Sequence, residues 1–151
     1  MSDEPLRPDP DRLLQHTAAP HRGKLKVFFG ACAGGGKTWA MLAEAQRLRA
    51  QGLDILIGVA ETHGRKETAA MLEGLSTLPP RRLAHRGRYV YEFDLDAALA
   101  RRPALILVDE LAHSNAPGSR HPKRWQDVDE LLEAGIDVFP TVNVQHLESL
   151  N

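Results

Sequence analysis

Residues 28–42 read FFGACAGGGKTWAML. Two aromatics close an apolar stretch, three glycines follow in a row, and Lys37 and Thr38 open a segment with helical apolar spacing. Strand, glycine-rich turn, then helix is the context required by the phosphate-binding pattern G-x-x-x-x-G-K-[ST]. Adjacent glycines let successive backbone N–H groups point inward as a nest for phosphate oxygens. The helix that follows aims the positive end of its dipole at the same spot. On this reading Ala31, Cys32, Ala33, Gly34, Gly35, Gly36, Lys37 and Thr38 form a Walker A loop that holds a polyphosphate. Lys37 brings a point charge to the β- and γ-phosphates, and Thr38 offers a hydroxyl to Mg²⁺. Ala31 stands where the strict pattern has its first glycine, a tolerable change if that position needs no positive φ. The rival dinucleotide fingerprint G-x-G-x-x-G, begun at Gly34, would put Trp39 where close helix packing needs a small residue. A glycine-rich turn with no ligand is the remaining alternative. Cys32 reads either as a small filler or as a redox-sensitive thiol beside a cationic site.

Outward from this stretch the chain alternates. Residues 24–30 are a strand candidate, residues 37–52 a helix ending at Gly52, residues 53–61 a second strand, and residues 65–78 a second helix stopped by Pro79 and Pro80. Residues 88–93 suggest a short strand, residues 94–102 a helix with Asp94 as N-cap, and residues 103–110 an apolar strand ending in two acids. A polar loop over residues 114–124 leads to a helix over residues 124–135 and a last strand over residues 136–144. Pro140 lies inside that strand, which predicts an edge position or a bulge. Strands that are apolar almost throughout, alternating with helices, predict a mostly parallel sheet covered on both faces, a P-loop NTPase-like three-layer α/β domain. Residues 1–23, with four prolines, read as a flexible N-terminal segment, and residues 24–151 as the nucleotide-binding domain. Residues 145–151 look like a helix just beginning, as though the domain were cut at its C-terminal end.

The second acid pair completes the site. Residues 105–108 run straight into Asp109 and Glu110. In a parallel sheet, ligands sit at the carboxyl ends of the strands. Asp109 there fits a Walker B acid that holds Mg²⁺ through water, and Glu110 a general base for an attacking hydroxyl or water. Glu61, closing another strand, is either a second base or metal residue or a solvated strand end. The loop beyond the acids carries His113, Arg120, His121, Lys123 and Arg124. It reads as a mobile cover with an arginine for phosphate charge, as a docking surface, or as a plain solvated loop. A zinc set of Asp109, His113 and His121 is the weaker reading, because the P-loop already accounts for Asp109. Arg81, Arg82, Arg86 and Arg88 around His85 form a basic cluster, an anion-binding patch or a solvated face.

Bulk properties set bounds. The 151 residues suit one core, and 19 basic against 20 acidic residues leave a net charge of −1, which does not favour nucleic acid as a partner. One cysteine excludes an intrachain disulfide and fits a reducing compartment. No apolar run approaches the ~20 residues a membrane helix needs, and the polar, acidic start is no signal peptide. The expectation is a cytosolic, soluble segment that does not itself insert into a membrane.

Residues 30–55, 61–75, 107–128 and 135–151 together resemble the N-terminal domain of the KdpD sensor histidine kinases, bacterial kinases that respond to potassium limitation and osmotic stress. The resemblance covers nearly the whole chain; its one mild departure is Gly35, where the family commonly carries valine, a change that loosens the loop. It implies a cytoplasmic, ATP-binding regulatory domain of an inner-membrane two-component kinase, with ATP and Mg²⁺ as cofactors. It further implies an atypical serine kinase acting on the potassium pump that the family regulates, with Ala31 to Thr38 as its Walker A residues and Asp109 as its Walker B acid. Together with the reading of the residues above, Lys37, Asp109, Glu110 and Glu61 are the expected catalytic residues, and Thr38 and Asp109 are expected on the metal. The remaining partners it implies are the rest of the sensor kinase and, through the absent kinase core, a response regulator. A non-catalytic ATP sensor that shifts the histidine kinase/phosphatase balance and a simple ATPase share the same motifs and stay open.

Overall fold

A computed structural model describes residues 21–30 and 36–144. The segments 1–20, 31–35 and 145–151, and with them most of the predicted Walker A loop and the start of the last predicted helix, lie outside the described residues. The elements are β1 (Phe28–Gly30), α1 (Lys37–Ala50), β2 (Ile55–Val59), α2 (Lys66–Ala70), β3 (Ser76–Thr77), β4 (Arg81–His85), β5 (Arg88–Glu92), α3 (Leu95–Arg101), β6 (Leu105–Val108), α4 (Arg124–Glu133) and β7 (Asp137–Asn143). Among the described residues, five strands pair in parallel in the order β1-β7-β6-β2-β3, and β4 and β5 form a separate antiparallel hairpin.

The period-2 geometry of the strands divides the core in two. Leu56, Ile106, Val108, Val138 and Val142 face one way and pack with Leu95, Ala98, Val128, Leu131 and Leu132 of α3 and α4. Ile55, Ile57, Leu105, Leu107 and Phe139 face the other way, onto Met41, Leu42 and Ala45 of α1. Helices therefore cover both faces, which is why β6 is buried at every residue. Asp94 caps α3 by accepting from the Ala97 N–H at 3.1 Å. Gly52, at φ +95°, ends α1 in the left-handed turn that glycine adopts without strain.

Three expectations need correction. β7 is not an edge strand but lies between β1 and β6. It accommodates Pro140 by a gap in one ladder. Val138 exchanges backbone bonds with the segment before β1, Lys26 N–H to Val138 O at 3.1 Å and Val138 N–H to Lys24 O at 3.0 Å. Two residues on, Pro140 faces the same side with no N–H to give. Pairing stops after Leu25↔Val138 and resumes at Phe28↔Thr141 in unchanged register. The helix expected over 65–78 is only Lys66–Ala70, followed by tight i→i+3 turns and then β3. Gly74, at φ +84°, turns the chain, and Gln46 Nε2 donates to the carbonyls of Met71 (2.7 Å) and Glu73 (2.8 Å) that a longer helix would have needed. The strand expected over 88–93 is real as β5, but its partner β4 was missed, its arginines reading as a charge cluster.

Candidate functional site

The carboxyl ends of β1, β6 and β7 meet the start of α1. Asp109, one residue past β6, is 1% exposed. Its carboxylate accepts from Thr38 Oγ1 at 3.1 and 3.2 Å, from the Glu61 backbone N–H at 2.7 Å, and from Thr141 Oγ1 on β7. Thr141 Oγ1 in turn accepts from the Glu110 N–H at 2.9 Å. Below, the buried Arg124 guanidinium donates to the Asp109 carbonyl at 2.9 Å. Burial pushes the Asp109 carboxyl above the usual aspartate range, and the Thr141, Glu61 and Thr38 hydrogen bonds pull part of the way back.

Lys37 and Thr38 open α1 and are each 5% exposed. A Cβ on Gly30 would stand 2.8 Å from Lys37 Cδ and 3.2 Å from its Cβ and Cγ, so the lysine stem lies over the end of β1, where only glycine fits. The first turn of α1 contains no acid, while its last turn carries Arg47 and Arg49. Cations in the last turn suit the macrodipole, and the positive end at the first turn is open to an anion in keeping with the phosphate-site pattern.

The acids differ in their surroundings. Glu110 sits in the left-handed region at φ +60°, with its carboxylate 3.9 Å from His63 Nε2, and His63 is itself left-handed at φ +54°. Glu61 joins the site through its backbone N–H, and its side chain is exposed. The loop after Glu110 is tied down. Ser114 bridges Lys123, and the Asn115 N–H donates to Pro122 O at 2.9 Å. Arg120 pairs with Asp96 and Glu130, and His121 with Glu130. Of the loop's cations, the one built into the site is Arg124, which is buried and bonded to the Asp109 carbonyl. His113 donates to the buried Glu92 at 2.9 Å, so it does not face Asp109 as the zinc reading required. Among the described residues, no group of three or more His, Cys, Asp and Glu side chains could hold a metal ion. Cys32 and residues 31–35 lie outside the described residues; Gly36, at the N-cap of α1, has no atom within 4 Å of a Cβ built on it.

A family model described as the osmosensitive K⁺ channel His kinase sensor domain of KdpD matches residues 21–151. The chain is 85% identical to the sensor protein KdpD of Escherichia coli over all 151 residues, and these cover 17% of that protein. It is 52% identical over 139 residues to the sensor protein KdpD of Mycobacterium tuberculosis, 92% of this chain and 16% of that protein. A putative sensor protein KdpD of Synechocystis is 55% identical over 140 residues, 92% of this chain and 38% of that protein. The chain belongs to the KdpD sensor-domain family. It spans less than a fifth of the length of the E. coli and M. tuberculosis proteins. Among the described residues, no helix is long and apolar enough to cross a membrane.

In this KdpD sensor domain the residues that sequence reading overlooked are those that brace the acid pair. Thr141 reads as an ordinary β-branched strand residue, and Arg124 only as one of the cations of the loop after the acids, not as a brace for Asp109. Glu92 is one charge in a run of aromatics. The usable signal was polarity out of place: a threonine directly after a proline in an apolar strand, and a glutamate between Tyr91 and Phe93. The strain at Glu110 has a measurable consequence. A non-glycine residue in the left-handed region costs on the order of 1 kcal/mol, partly offset in a glycine variant by the greater freedom of its unfolded chain. Glu110→Gly should therefore raise the melting temperature of the ligand-free protein by about 2 °C. An unchanged or lower midpoint in calorimetry would mean that Glu110 is not strained.

Proposed function

We propose that this chain binds ATP with Mg²⁺ and transfers the γ-phosphoryl group to a serine of a protein acceptor, the potassium pump being the acceptor that its family membership suggests. The observation that carries the reading is the buried Thr38–Asp109 pair, a hydroxyl and a carboxylate 3.1–3.2 Å apart at the mouth of a helix that begins with a buried lysine. Two hard oxygen donors of this kind suit Mg²⁺, with Thr38 and Asp109 as the residues that would hold it. When bound, Mg²⁺ supplies neutralising charge to the phosphates. Lys37 would hold the β- and γ-phosphates, together with the backbone of residues 31–36. The serine Oγ would form the new bond to the γ-phosphorus as the bond to the ADP oxygen breaks. Its proton would pass to the Glu110 carboxylate, or to that of Glu61. As one part of a longer sensor kinase with a response regulator downstream, the domain would work on the cytoplasmic side of the inner membrane.

A second reading, an ATP sensor without turnover, is favoured by one specific observation. The Asp109 carbonyl is held by Arg124, Arg124 lies 3.6 Å from Glu92, and Glu92 holds both His113 and the Ala116 N–H (2.7 Å) of the following loop. Nucleotide occupancy at Thr38 and Asp109 could thereby bias a loop that the rest of the kinase reads. Following γ-labelled ATP with Mg²⁺, the intact protein and the purified pump separates the two. Label on a pump serine, lost in Lys37→Ala, supports transfer; ATP bound but intact, with no label on the pump, supports the sensor. Free phosphate released without a partner would indicate a simple ATPase.

A further inference from the structure

The β4–β5 hairpin stands outside the main sheet, and its two faces differ. Its inner face carries Leu83, His85 and Val90, all partly buried, and the buried Glu92. Leu83 Cδ2 lies 4.0 Å from a Cβ built on Gly118, and Glu92 is bonded to His113 and Ala116, so this face is held to the loop that follows Asp109 and Glu110. The outer face carries Arg82, Ala84, Tyr89 and Tyr91, all exposed. Both tyrosines of the chain are here, 59% and 61% exposed. Arg82 pairs across the ladder with Tyr91, and its guanidinium lies 4.3 Å from the centre of the Tyr89 ring.

Nothing in the fold requires this surface. Among the described residues, Arg81, Arg82, Arg86 and Arg88 have no carboxylate within ion-pair distance. The turn at the tip is Arg86-Gly87, both residues left-handed at φ +51° and +77°. Asparagine or glycine is the unstrained choice at the first of these positions, so an arginine there is held at a conformational cost. Neither outer edge of the hairpin pairs with another described strand. Arginine and tyrosine on one rigid face are the residue types that dominate protein–protein hot spots, and an unpaired strand edge accepts an extended segment.

We propose that the outer face of the β4–β5 hairpin is a docking surface for an acidic, extended protein segment. Arg82 on this face, Arg86 at the tip, and Arg81 and Arg88 at the ends of the two strands are all exposed, and no exposed residue of the hairpin is acidic, which sets the charge of the partner. The small extent of the patch, on a chain of net charge −1, argues for a peptide rather than the long phosphate track of a nucleic acid. The inference is independent of whether ATP is turned over at Asp109.

Selection of a displayed random-peptide library on the intact protein tests it, followed by fluorescence anisotropy with the enriched peptides made synthetically. Enriched peptides should carry an acidic excess. The double variant Arg82→Glu, Tyr91→Ala should bind them at least about tenfold more weakly. Arg49→Glu, on the far end of α1, should change binding by less than about twofold. Both changed side chains of the double variant are exposed, and circular dichroism checks that it folds. Peptides without acidic excess, or affinity unchanged in the double variant, would overturn the proposal. So would labelled poly(U) RNA that outcompetes the peptides and loses affinity in the same variant, which would make the face a nucleic-acid surface.

Discussion

Replacing Lys37 with methionine should weaken MgATP binding roughly 10- to 100-fold, the cost of a lost charge-assisted contact of about 1.5–3 kcal/mol. Methionine is the informative choice because the lysine stem does two jobs. Its methylenes lie over Gly30, and its ammonium supplies the charge proposed to meet the phosphates. The thioether side chain keeps the first and removes the second, so the domain should still fold. A direct binding titration on folded protein reads the effect. Affinity within about twofold of the natural protein would mean that Lys37 is not a phosphate ligand, and the nucleotide reading would then rest on Thr38 and Asp109 alone. Loss of binding in Lys37→Met combined with retained binding in Glu110→Gln would separate nucleotide holding from proton transfer, which the sequence motifs could not do.

The alternation of elements and the acid pair were legible because each rests on local pattern. A short apolar run such as residues 105–108, set in a chain of alternating strands and helices, fits a doubly covered strand, and acids directly after it then lie at its carboxyl end. What stayed hidden was set by tertiary partners. Pro140 argued for an edge or a bulge, yet a central strand tolerates it because the ladder is interrupted only there: Lys26 N–H still bonds Val138 O, and pairing resumes at Phe28↔Thr141. The segment after Ala70 had helical spacing, but Gln46 from α1 takes the carbonyls of Met71 and Glu73. β4 was invisible because the adjacent Arg81 and Arg82, with Arg86 and Arg88 beyond them, look like a solvated charge run until Arg82 is seen opposite Tyr91 and Ala84 opposite Tyr89. The bracing of Asp109 by Thr141 and Arg124 spans 32 and 15 residues of sequence, beyond the reach of any local pattern.

Asp109→Asn should have opposite effects with and without ligand. Burial holds the Asp109 carboxyl above its unfolded value in the empty protein. The native state therefore binds this proton more readily than the unfolded chain, whose aspartates titrate near pH 4, roughly. The corresponding stability is full below the unfolded pKa and is lost as pH rises through the raised native one. Asparagine imitates the protonated side chain: its carbonyl can accept from the Glu61 N–H while its amide donates to a threonine hydroxyl. In ligand-free melts the variant should thus exceed the natural protein at neutral pH, and the gap should close as the pH falls below the unfolded aspartate range. With MgATP the order should reverse. Removing a carboxylate that holds the metal through water costs about 10- to 100-fold in metal affinity. Ligand at about 100 times Kd stabilises by about 2.7 kcal/mol, and the variant should lose most of that. Melts between about pH 4 and 8, with and without MgATP, read both effects. A variant less stable than the natural protein when empty would show that the three donors around Asp109 outweigh its burial. A variant stabilised equally by MgATP would remove Asp109 from the metal site. The pair of signs follows from one circumstance: a carboxylate whose burial is costly is the charge that a bound cation needs.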